Sequence, residues 1–559
     1  MRLLNYGHSA AAYRPFLADL PAGNSPFPVV SLAALCRVPV SAMSSSAPAA
    51  QAIPTPVHDH RAIMRVIGGI VLCILLAALD QTVVIPAVPA IANDLNGFGH
   101  LSWIVTAYLI VSTVTTPLYG KLSDSFGRRR LLMVAITLFI GASVACALAQ
   151  TLGQLILFRA LQGVGGGGLM SLAQAAIADV VAPRQRGRYQ GYLATVWAVA
   201  SIAGPLVGGW VSDYMSWRWL FWVNVPLGLL AMAMCHRGLA MLAPRGGPAR
   251  VDWLGALLLA VAIVAFLLAM SWGGDVYDWL SPELAALLLA AAVAVALLAW
   301  QERRAADPML PPRLFANRAY VMGVAASALS ALNIFLCIFA LPLHFQLVRG
   351  ADASTSGLLV MPFLLATVAG NFIVAWVAPR VGRMRGILTA GYVAGALGLI
   401  VLALVTPAVP LAVVLMAMTL AGVGLGITMV ATLMSVQNVL ERRDTGAGTG
   451  ALLVLRSLGS ALGGALAGTL LTLEFRHALA ASGVKQALDL GALRHGSEAL
   501  AQLSPAVRHV LADGVESGFH LIFAAGAAAS VLALLVVRSM PDLELRSSVT
   551  EHAATLAMD

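Results

Sequence analysis

Two ionisable side chains stand inside long apolar runs of the sequence, where a charge is costly. Asp80 lies near the middle of the run 66–92, and Arg159 lies near one end of the run 155–180. An ionised carboxylate at the centre of a membrane span costs about 2.5–3.5 kcal/mol on insertion scales. Such a residue usually faces a water-filled cavity and binds protons or cations, so Asp80 is predicted to do so. A structural hydrogen bond between helices is the alternative role.

Arg159 admits two interpretations. Its long side chain could extend from the end of its run to the membrane surface. If it faces Asp80 across a cavity instead, its charge favours the ionised carboxylate, whereas burial favours the protonated form. The sequence leaves open which of these opposing effects is larger.

The composition indicates what surrounds these two residues. Of 559 residues, 60% are hydrophobic and 11% are charged, whereas a soluble domain is about 45–50% apolar and about 25% charged. The apolar runs are about 18–26 residues long, which suits membrane-spanning helices and is too long for barrel strands. The chain is therefore predicted to be an all-α membrane protein.

Fourteen spans are predicted from these runs. They cover 66–92, 100–119, 131–150, 155–180, 189–212, 219–240, 252–272, 283–300, 319–345, 356–378, 386–405, 409–438, 447–473 and 518–538. Residues 1–61 are rich in Pro, Ala and Ser and are predicted to form a disordered tail, with Met43 as an alternative start.

The net charge of +9 is concentrated in alternate short loops between the spans. These loops carry Lys121, Arg128–Arg130, Arg184, Arg186, Arg188, Arg245, Arg250, Arg303, Arg304, Arg313, Arg318, Arg380, Arg383, Arg385, Arg442 and Arg443. The opposite short loops hold little beyond Arg218 and Arg349. By the positive-inside rule the basic side is cytoplasmic, so both termini are predicted to be cytoplasmic and the loop 474–517 to lie outside. The charge therefore needs no nucleic-acid partner.

A weak internal repeat divides the chain. The segment GKLSDSFGRRR (120–130) and the segment AWVAPRVGRMR (375–385) share a glycine at the eighth position and arginines at the ninth and eleventh. Two parallel halves of this kind are expected of one large class of secondary transporters. We therefore predict a six-helix half at 62–242, two inserted spans with a linker at 243–304, a second six-helix half at 305–540, and a cytoplasmic tail at 541–559.

Glycine and cysteine patterns point to packing and not to cofactors. The cluster Gly163–Gly168 lies within a span and lacks a following Lys-Ser or Lys-Thr, which argues against a phosphate-binding loop. The five scattered cysteines lack metal-ligand spacing, so no metal is predicted. Small residues four apart are instead predicted to bring helix backbones close together: Gly163 with Gly167, Gly204 with Gly208, and Gly459 with Gly463. Gly204-Pro205 should bend the fifth span.

Several segments, in order, resemble a known family. They are LDQTVVIPAVPAI (79–91), GKLSDSFGRRR (120–130), RALQGVGGGG (159–168), GPLVGGW (204–210), WRWLFWVNVPLG (217–228) and ERRAADPMLPPRLFANRAY (302–320). Together they are similar to the motifs of the fourteen-helix drug:proton antiporters, a family of the major facilitator superfamily. The resemblance covers roughly residues 66–540 and implies the major-facilitator fold, with two extra transmembrane helices between the halves.

The resemblance also implies roles for particular residues. Asp80 and Arg159 would couple protons, and Gly204, Pro205, Gly208 and Gly209 would form the antiporter motif. Asp124 would latch a cytoplasmic gate in the outward-facing state, with Arg128 and Asp179 as candidate partners. The remaining residues of that gate motif are Gly120, Gly127 and Arg130.

Polar and aromatic residues scattered through the spans suggest a substrate cavity. The candidates are Trp103, Tyr108, Gln162, Gln174, Trp197, Asn333, His344, Asn371, Gln437 and Arg456. Asp80 is the only acid found deep in a predicted span, which disfavours dications and favours monovalent or neutral lipophilic substrates.

The predicted function is proton-driven export of lipophilic or amphipathic compounds through the cytoplasmic (inner) membrane. The proton-motive force replaces a cofactor, since about 100 mV supplies roughly 2.3 kcal/mol per charge moved. The partners are the small-molecule substrate, protons and the lipid bilayer, and a membrane-fusion protein is left open. Export or import of one specific metabolite is the first alternative. A membrane-embedded lipid enzyme is a remote one, because no clustered nucleophile, base or metal set is found.

Overall fold

A computed structural model describes residues 60–95, 103–181, 183–239, 252–274, 276–481, 505–542 and 544–545. The predicted tail 1–61 lies outside these ranges except for its last two residues, which begin the first helix. Most of the predicted tail 541–559 also lies outside them. Within the described part of the chain, helices account for nearly all regular structure.

Sixteen α-helices follow one another in the described residues. In chain order they are α1 (His60–Asp94), α2 (Trp103–Phe126), α3 (Arg128–Ala147), α4 (Leu152–Val180), α5 (Pro183–Tyr214), α6 (Trp219–Trp222), α7 (Asn224–Gly238) and α8 (Trp253–Trp272). They continue as α9 (Pro282–Glu302), α10 (Pro312–Ala316), α11 (Arg318–Leu347), α12 (Ala353–Val381), α13 (Met384–Ala403), α14 (Leu411–Val439), α15 (Thr445–Ala481) and α16 (Pro505–Arg538).

The prediction of fourteen spans is confirmed for the part of the chain that the structure describes. Fourteen segments are long and apolar enough to cross a membrane, with α6 and α7 forming a single span and α10 too short to count. Several helices are longer than predicted. In particular, α15 ends at Ala481 and α16 begins at Pro505, so the predicted loop 474–517 is too wide.

The two repeated segments, 120–130 and 375–385, contain more helix than predicted, since much of each was predicted to be a loop between spans. Gly120–Phe126 still belongs to α2, and Arg128 already opens α3. The single residue between them, Gly127, has a φ of 89°, and Gly382 at the matching place after α12 has a φ of 70°. Because only glycine adopts such angles at little cost, the repeated glycine marks a tight reversal in each half, of one residue after α2 and of two residues after α12.

The predicted glycine pairs are confirmed as sites of close backbone approach. A Cβ on Gly163 would meet the carbonyl oxygen of Tyr108 at 2.7 Å, and one on Gly208 would collide with the carbonyl oxygen of Val83. Gly459 and Gly463 lie in the same way against carbonyl oxygens of α11. These contacts join α4 to α2, α5 to α1, and α15 to α11, so small residues determine which helices pair within each half.

Each half has its own buried core, and the inserted pair lies between them. Clusters centred on α1, α3, α4 and α7 form the first core, and clusters centred on α11, α13, α14 and α16 form the second. Helices α8 and α9 pack against each other, and α8 also contacts α2 and α15. The inserted helices therefore touch both halves from one side.

We call the end of the bundle that carries Lys121, Arg128, Arg304, Arg383 and Arg443 the basic end. Here the halves come together closely: the backbone of Gly120 on α2 lies against that of Gly446 on α15, and Gly187 on α5 lies against Ala375 on α12. The short segment after α16 also returns to this end. Leu545 is buried in the core of the second half, and its N–H donates to the carbonyl of Gly382 at 2.7 Å.

Candidate functional site

Asp80 and Arg159 form a buried ion pair in the first half. The guanidinium Nη1 of Arg159 on α4 lies 2.6 Å from Oδ2 of Asp80 on α1. Asp80 is 3% exposed and Arg159 is 1% exposed. The two costly charges of the sequence therefore neutralise each other, as buried charges must.

Amide side chains complete the surroundings of the carboxylate. Oδ1 of Asp80 accepts from Nε2 of Gln162 at 2.8 Å and from Nδ2 of Asn224 at 3.0 Å. Gln162 and Asn224 both also donate to Oγ of Ser143, at 2.6 and 3.3 Å. The network joins α1, α3, α4 and α7 around the carboxylate of Asp80.

The guanidinium of Arg159 has partners besides the carboxylate. It donates to Oε1 of Gln162 at 2.7 Å and to the carbonyl of Ile104 at 3.1 Å. The ring of Tyr108 lies under it, with its centroid 4.4 Å from Cζ. These contacts would continue to hold the cation if Asp80 became neutral.

Two expectations for this pair need correction. Arg159 is buried, so the interpretation that it extends to the membrane surface is wrong. Asp80 lies inside the packed first half and is barely exposed, so it does not face a water-filled cavity in this conformation. The alternative of a hydrogen bond between helices describes its present geometry, because its donors come from α4 and α7.

At the basic end, Asp124 joins the two halves directly. Its Oδ2 accepts from the N–H of Ala447 at 3.0 Å and its Oδ1 from the N–H of Gly446 at 3.2 Å. Both N–H groups belong to the first turn of α15, where the helix dipole favours a carboxylate. The side chain of one half thus caps a helix of the other.

Arg128 holds this carboxylate in place. It contacts Asp124 at 2.6 Å and Asp179, at the end of α4, at 3.0 Å. Of the two candidate partners of Asp124, Arg128 therefore contacts it directly and Asp179 contacts Arg128. Gly120 allows the approach of α15, whereas Arg130 is exposed and forms part of the basic surface. Arg186 adds a second link, since it donates to the carbonyl of Gln437 on α14 at 3.3 Å.

The predicted antiporter motif packs on α1 beside Asp80. Gly204 lies against Thr82, whose Oγ1 donates to the carbonyl of Ala200 at 2.9 Å. Gly208 lies against Val83, whereas a Cβ on Gly209 would meet nothing within 4 Å. Pro205 lies within the continuous helix α5. Of the four motif residues, Gly204 and Gly208 thus form the face of α5 that contacts the residues following Asp80.

The remaining candidate cavity residues are dispersed in this conformation. Trp103 packs edge-on against Trp272 of the inserted pair, with 6.2 Å between ring centroids, and Trp197 is exposed on α5. Tyr108 and Gln162 belong to the ion-pair network. Gln174 accepts from Gln190 at 2.8 Å, and Gln437 is buried near the basic end.

In the second half, the candidates lie in or beside the core. Asn333 donates to Ser530 at 3.0 Å, and His344 packs among the rings of Phe345, Phe519 and Phe523. Asn371 is buried on α12.

Arg456 on α15 is a half-buried cation of the second half. It donates to Ser327 at 2.6 Å and to Thr432 at 3.2 Å, and it also contacts the carbonyl of Met429. All these acceptors are neutral, so Arg456 differs from Arg159 in its surroundings.

A cavity of about 840 Å³ lies elsewhere, between the inserted pair and the bundle. Its walls come from α2, α8, α9, α10 and α15, and they are almost wholly apolar. None of the candidate cavity residues lines it. Glu302 and Arg303 lie at its basic end.

Sequence reasoning missed three residues of these sites. Ser143 and Asn224 belong to the Asp80 network, and Glu302 is a buried acid at the end of α9. A polar residue in an apolar run was the available signal for the first two. Glu302 stands just beyond the predicted span 283–300, where an acid is unremarkable unless its burial is known.

Comparison with known proteins identifies the family. The family model "Major Facilitator Superfamily" matches residues 70–464, which include the ion pair, the Asp124 contacts and the inserted helices. This chain belongs to the major facilitator superfamily. It is accordingly a multi-pass membrane transporter and not an enzyme, as predicted.

Relatives in this superfamily are similar over most of the chain. Multidrug resistance protein 3 of Bacillus subtilis is 30% identical over 86% of this chain and 96% of its own length. The multidrug transporter protein MdtP of the same organism is 32% identical over 71% of this chain and 73% of its own length. An uncharacterised superfamily transporter of Mycobacterium tuberculosis is 36% identical over 72% of this chain, but the match spans only 58% of that protein.

Solved structures confirm the fold. The proton:xylose symporter XylE, bound to 6-bromo-6-deoxy-D-glucose, matches 89% of this chain with a TM-score of 0.57 and 15% identity. The human organic anion transporter MFSD10 matches 85% of this chain with a TM-score of 0.56 and 14% identity. At such identities the likeness shows the major-facilitator fold alone.

Proposed function

We propose that this superfamily member is a proton-coupled antiporter that exports lipophilic or amphipathic compounds, drugs among them, across the cytoplasmic membrane. The buried Asp80–Arg159 pair is the observation that carries the proposal. A carboxylate can take up and release a proton within a membrane, whereas arginine stays charged. The names of the Bacillus relatives support a multidrug substrate range.

Protonation of Asp80 would loosen α1 from α4. The 2.6 Å ion pair would become a hydrogen bond to a neutral acid, while Gln162, the Ile104 carbonyl and the Tyr108 ring still hold Arg159. The site therefore has partners for its arginine in both protonation states. Because α1 packs through Thr82 and Val83 on the glycine face of α5, a shift of α1 would reach α5.

Helix α4 connects the proton site to the basic end. It carries Arg159 near one end and Asp179 near the other, about 30 Å apart at 1.5 Å per residue. Asp179 holds Arg128, which holds the Asp124 cap of α15. We propose that displacement of α4 releases this cap and opens the basic end, which gives alternating access.

The proposed orientation of the transporter in the membrane follows from the charge distribution. The basic end is assigned to the cytoplasm by the positive-inside rule, with both termini on that side. With the basic end closed, this conformation would be outward-facing. Arg456, surrounded by neutral acceptors, supports neutral or monovalent substrates over dications.

The test of proton coupling is the variant Asp80→Asn. We expect it to be produced and folded but to lose substrate export and substrate-driven proton movement in proteoliposomes, because its side chain can no longer exchange a proton. Asp278→Asn is the matched control, since the side chain of Asp278 is exposed between α8 and α9 and, among the described residues, pairs with the surface residue Arg476. Full export by Asp80→Asn would refute the proposed coupling role.

Substrate range is tested separately. We expect an efflux-deficient host that produces the protein to survive several unrelated lipophilic compounds, and an uncoupler to abolish this resistance. Export or import of a single metabolite would favour the specific-transporter alternative. Export that survives the uncoupler would contradict the proton-driven mechanism.

A further inference from the structure

The cavity beside the inserted helices has the size and lining of a ligand site. Its volume of about 840 Å³ falls in the range of about 300–1,000 Å³ that is typical of small-molecule pockets. Leu259, Ile263 and Leu298 form part of its apolar wall. Leu288 and Val295 line it too and are exposed on the outer face of α9. The cavity can therefore be reached from the bilayer.

One end of this cavity carries an acid with an unsatisfied oxygen. Glu302 is 6% exposed; its Oε2 accepts from the N–H of Leu310 at 3.1 Å, while its buried Oε1 has no hydrogen-bond partner in the described structure. The acid ends α9, where the helix dipole disfavours a negative charge. A buried acceptor without a donor destabilises the structure around it.

A second carboxyl oxygen, on Asp252, also lacks a hydrogen-bond partner and lies close by. Oδ1 of Asp252 accepts from the N–H of Gly255 and from Gln301, but its buried Oδ2 has no partner among the described residues. A Cβ on Gly255 would lie 2.5 Å from this oxygen and 3.2 Å from Oε1 of Glu302. The two unsatisfied acceptors thus both lie beside Gly255, and of the two acids Glu302 is the one that lines the cavity.

The two nearby cationic side chains, Lys121 and Arg303, do not pair with these oxygens. Lys121 is paired with Asp307 at 2.5 Å. Arg303 also lines the cavity, but its side chain is exposed and so its charge is screened by solvent. No side chain or backbone N–H among the described residues donates to either oxygen.

We propose that this cavity binds an amphipathic amine, with its apolar body between α8, α9 and α15 and its ammonium at Glu302 and Asp252. An ammonium carries donors for both oxygens and a charge that compensates theirs. A neutral compound of the same length would fill the apolar part of the cavity but would leave the two carboxyl oxygens unsatisfied. The site is separate from the Asp80 network, so it stands whether or not the chain couples transport to protons.

The test uses dodecylamine and dodecanol, which differ only in the head group. Purified full-length protein in phosphatidylcholine nanodiscs is photolabelled with a diazirine-bearing dodecylamine, with empty nanodiscs as the background. We expect labelled peptides from α9 and α15, and competition at least tenfold stronger by dodecylamine than by dodecanol. Equal competition by the alcohol, or labelling confined to other helices, would overturn the proposal.

Two pairs of variants localise the site. Glu302→Gln should weaken dodecylamine competition at least tenfold, whereas Asp278→Asn, at the far end of the same hairpin, should not. Val295→Trp should block labelling by filling the cavity, whereas Val293→Trp, exposed on α9 but outside the lining, should not. Unchanged binding by both Glu302→Gln and Val295→Trp would refute the site.

The amine could belong to a free compound or to a lipid. Adding phosphatidylethanolamine to the nanodiscs distinguishes these sources, because it presents an ammonium from the bilayer. Reduced labelling in these discs identifies an aminolipid as a ligand of the site, and unchanged labelling identifies the site as one for free amines.

Discussion

At the scale of single residues, the Asp80–Arg159 pair combines a stability role with a proposed chemical one. Each charge is enclosed by helices, and each is compensated by the other and by neutral polar partners. Removing Arg159 takes away the only charge that compensates Asp80 in the described network, a loss that typically costs about 3–5 kcal/mol for a buried pair, whereas removing Asp80 leaves Arg159 with its neutral partners. Removing both leaves no uncompensated charge.

This asymmetry gives a prediction for paired substitutions. We expect Arg159→Gln to lower the melting temperature and the folded yield strongly, because Asp80 is left as an isolated buried acid. Combining it with Asp80→Asn should restore much of the lost stability while transport remains absent. Thermal unfolding of the purified single and double variants measures this, and strictly additive losses would contradict the compensation described here.

At the scale of helices, glycine determines how closely two elements approach. Gly446 lies in the first turn of α15, against the carbonyl oxygen of Gly120 and beside Arg128 and Asp124. No side chain fits at this position without moving α2. The Asp124 cap depends on this contact, since its two donors are the N–H groups of Gly446 and Ala447.

Gly446→Ala should therefore separate α2 from α15 at the basic end. We expect raised reactivity of a cysteine placed at this end towards a thiol reagent, together with a loss of transport. Gly464→Ala is the matched control on the same helix, because a Cβ there would meet nothing within 4 Å. The role of the approach would be refuted if the two variants behaved alike.

At the scale of the whole molecule, the charge distribution assigns the two ends of the bundle. The basic end carries the Asp124 contacts and the buried Leu545. It also carries Glu302, at one end of the cavity beside the inserted helices. The opposite end is held by different pairs, such as Arg218 with Asp94 at 2.6 Å. The proposed orientation places the first end in the cytoplasm.

Cysteine labelling tests this orientation in the full-length chain. In a cysteine-free background, we expect a membrane-impermeant maleimide to label Asp278→Cys in intact cells but Arg304→Cys only after permeabilisation. These positions bracket α9 and lie at opposite ends of the same span. The reverse pattern would invert the topology and, with it, the proposed direction of export.

The sequence was sufficient for the class, the number of spans and the pairing of glycine faces. The length of the apolar segments and the overall composition indicate a lipid environment directly, and two glycines four residues apart indicate close helix packing. The sequence also singled out Asp80 and Arg159, because a charge inside an apolar run is conspicuous. The predicted boundaries were less accurate: the chain reverses within one residue at Gly127 and within two at Gly382, whereas longer loops were predicted there.

What the sequence could not decide was which side chains meet. From the sequence, Arg159 could extend to the membrane surface or face Asp80. Only the packing of α4 against α1 brings the two charges to 2.6 Å. The sequence grouped residues such as Asn333 and His344 into one cavity, whereas the fold separates them into local cores. The burial of Glu302 depends on helices far apart in the chain. Polarity and apolar length are properties of a segment, but burial and contact arise only when segments pack together.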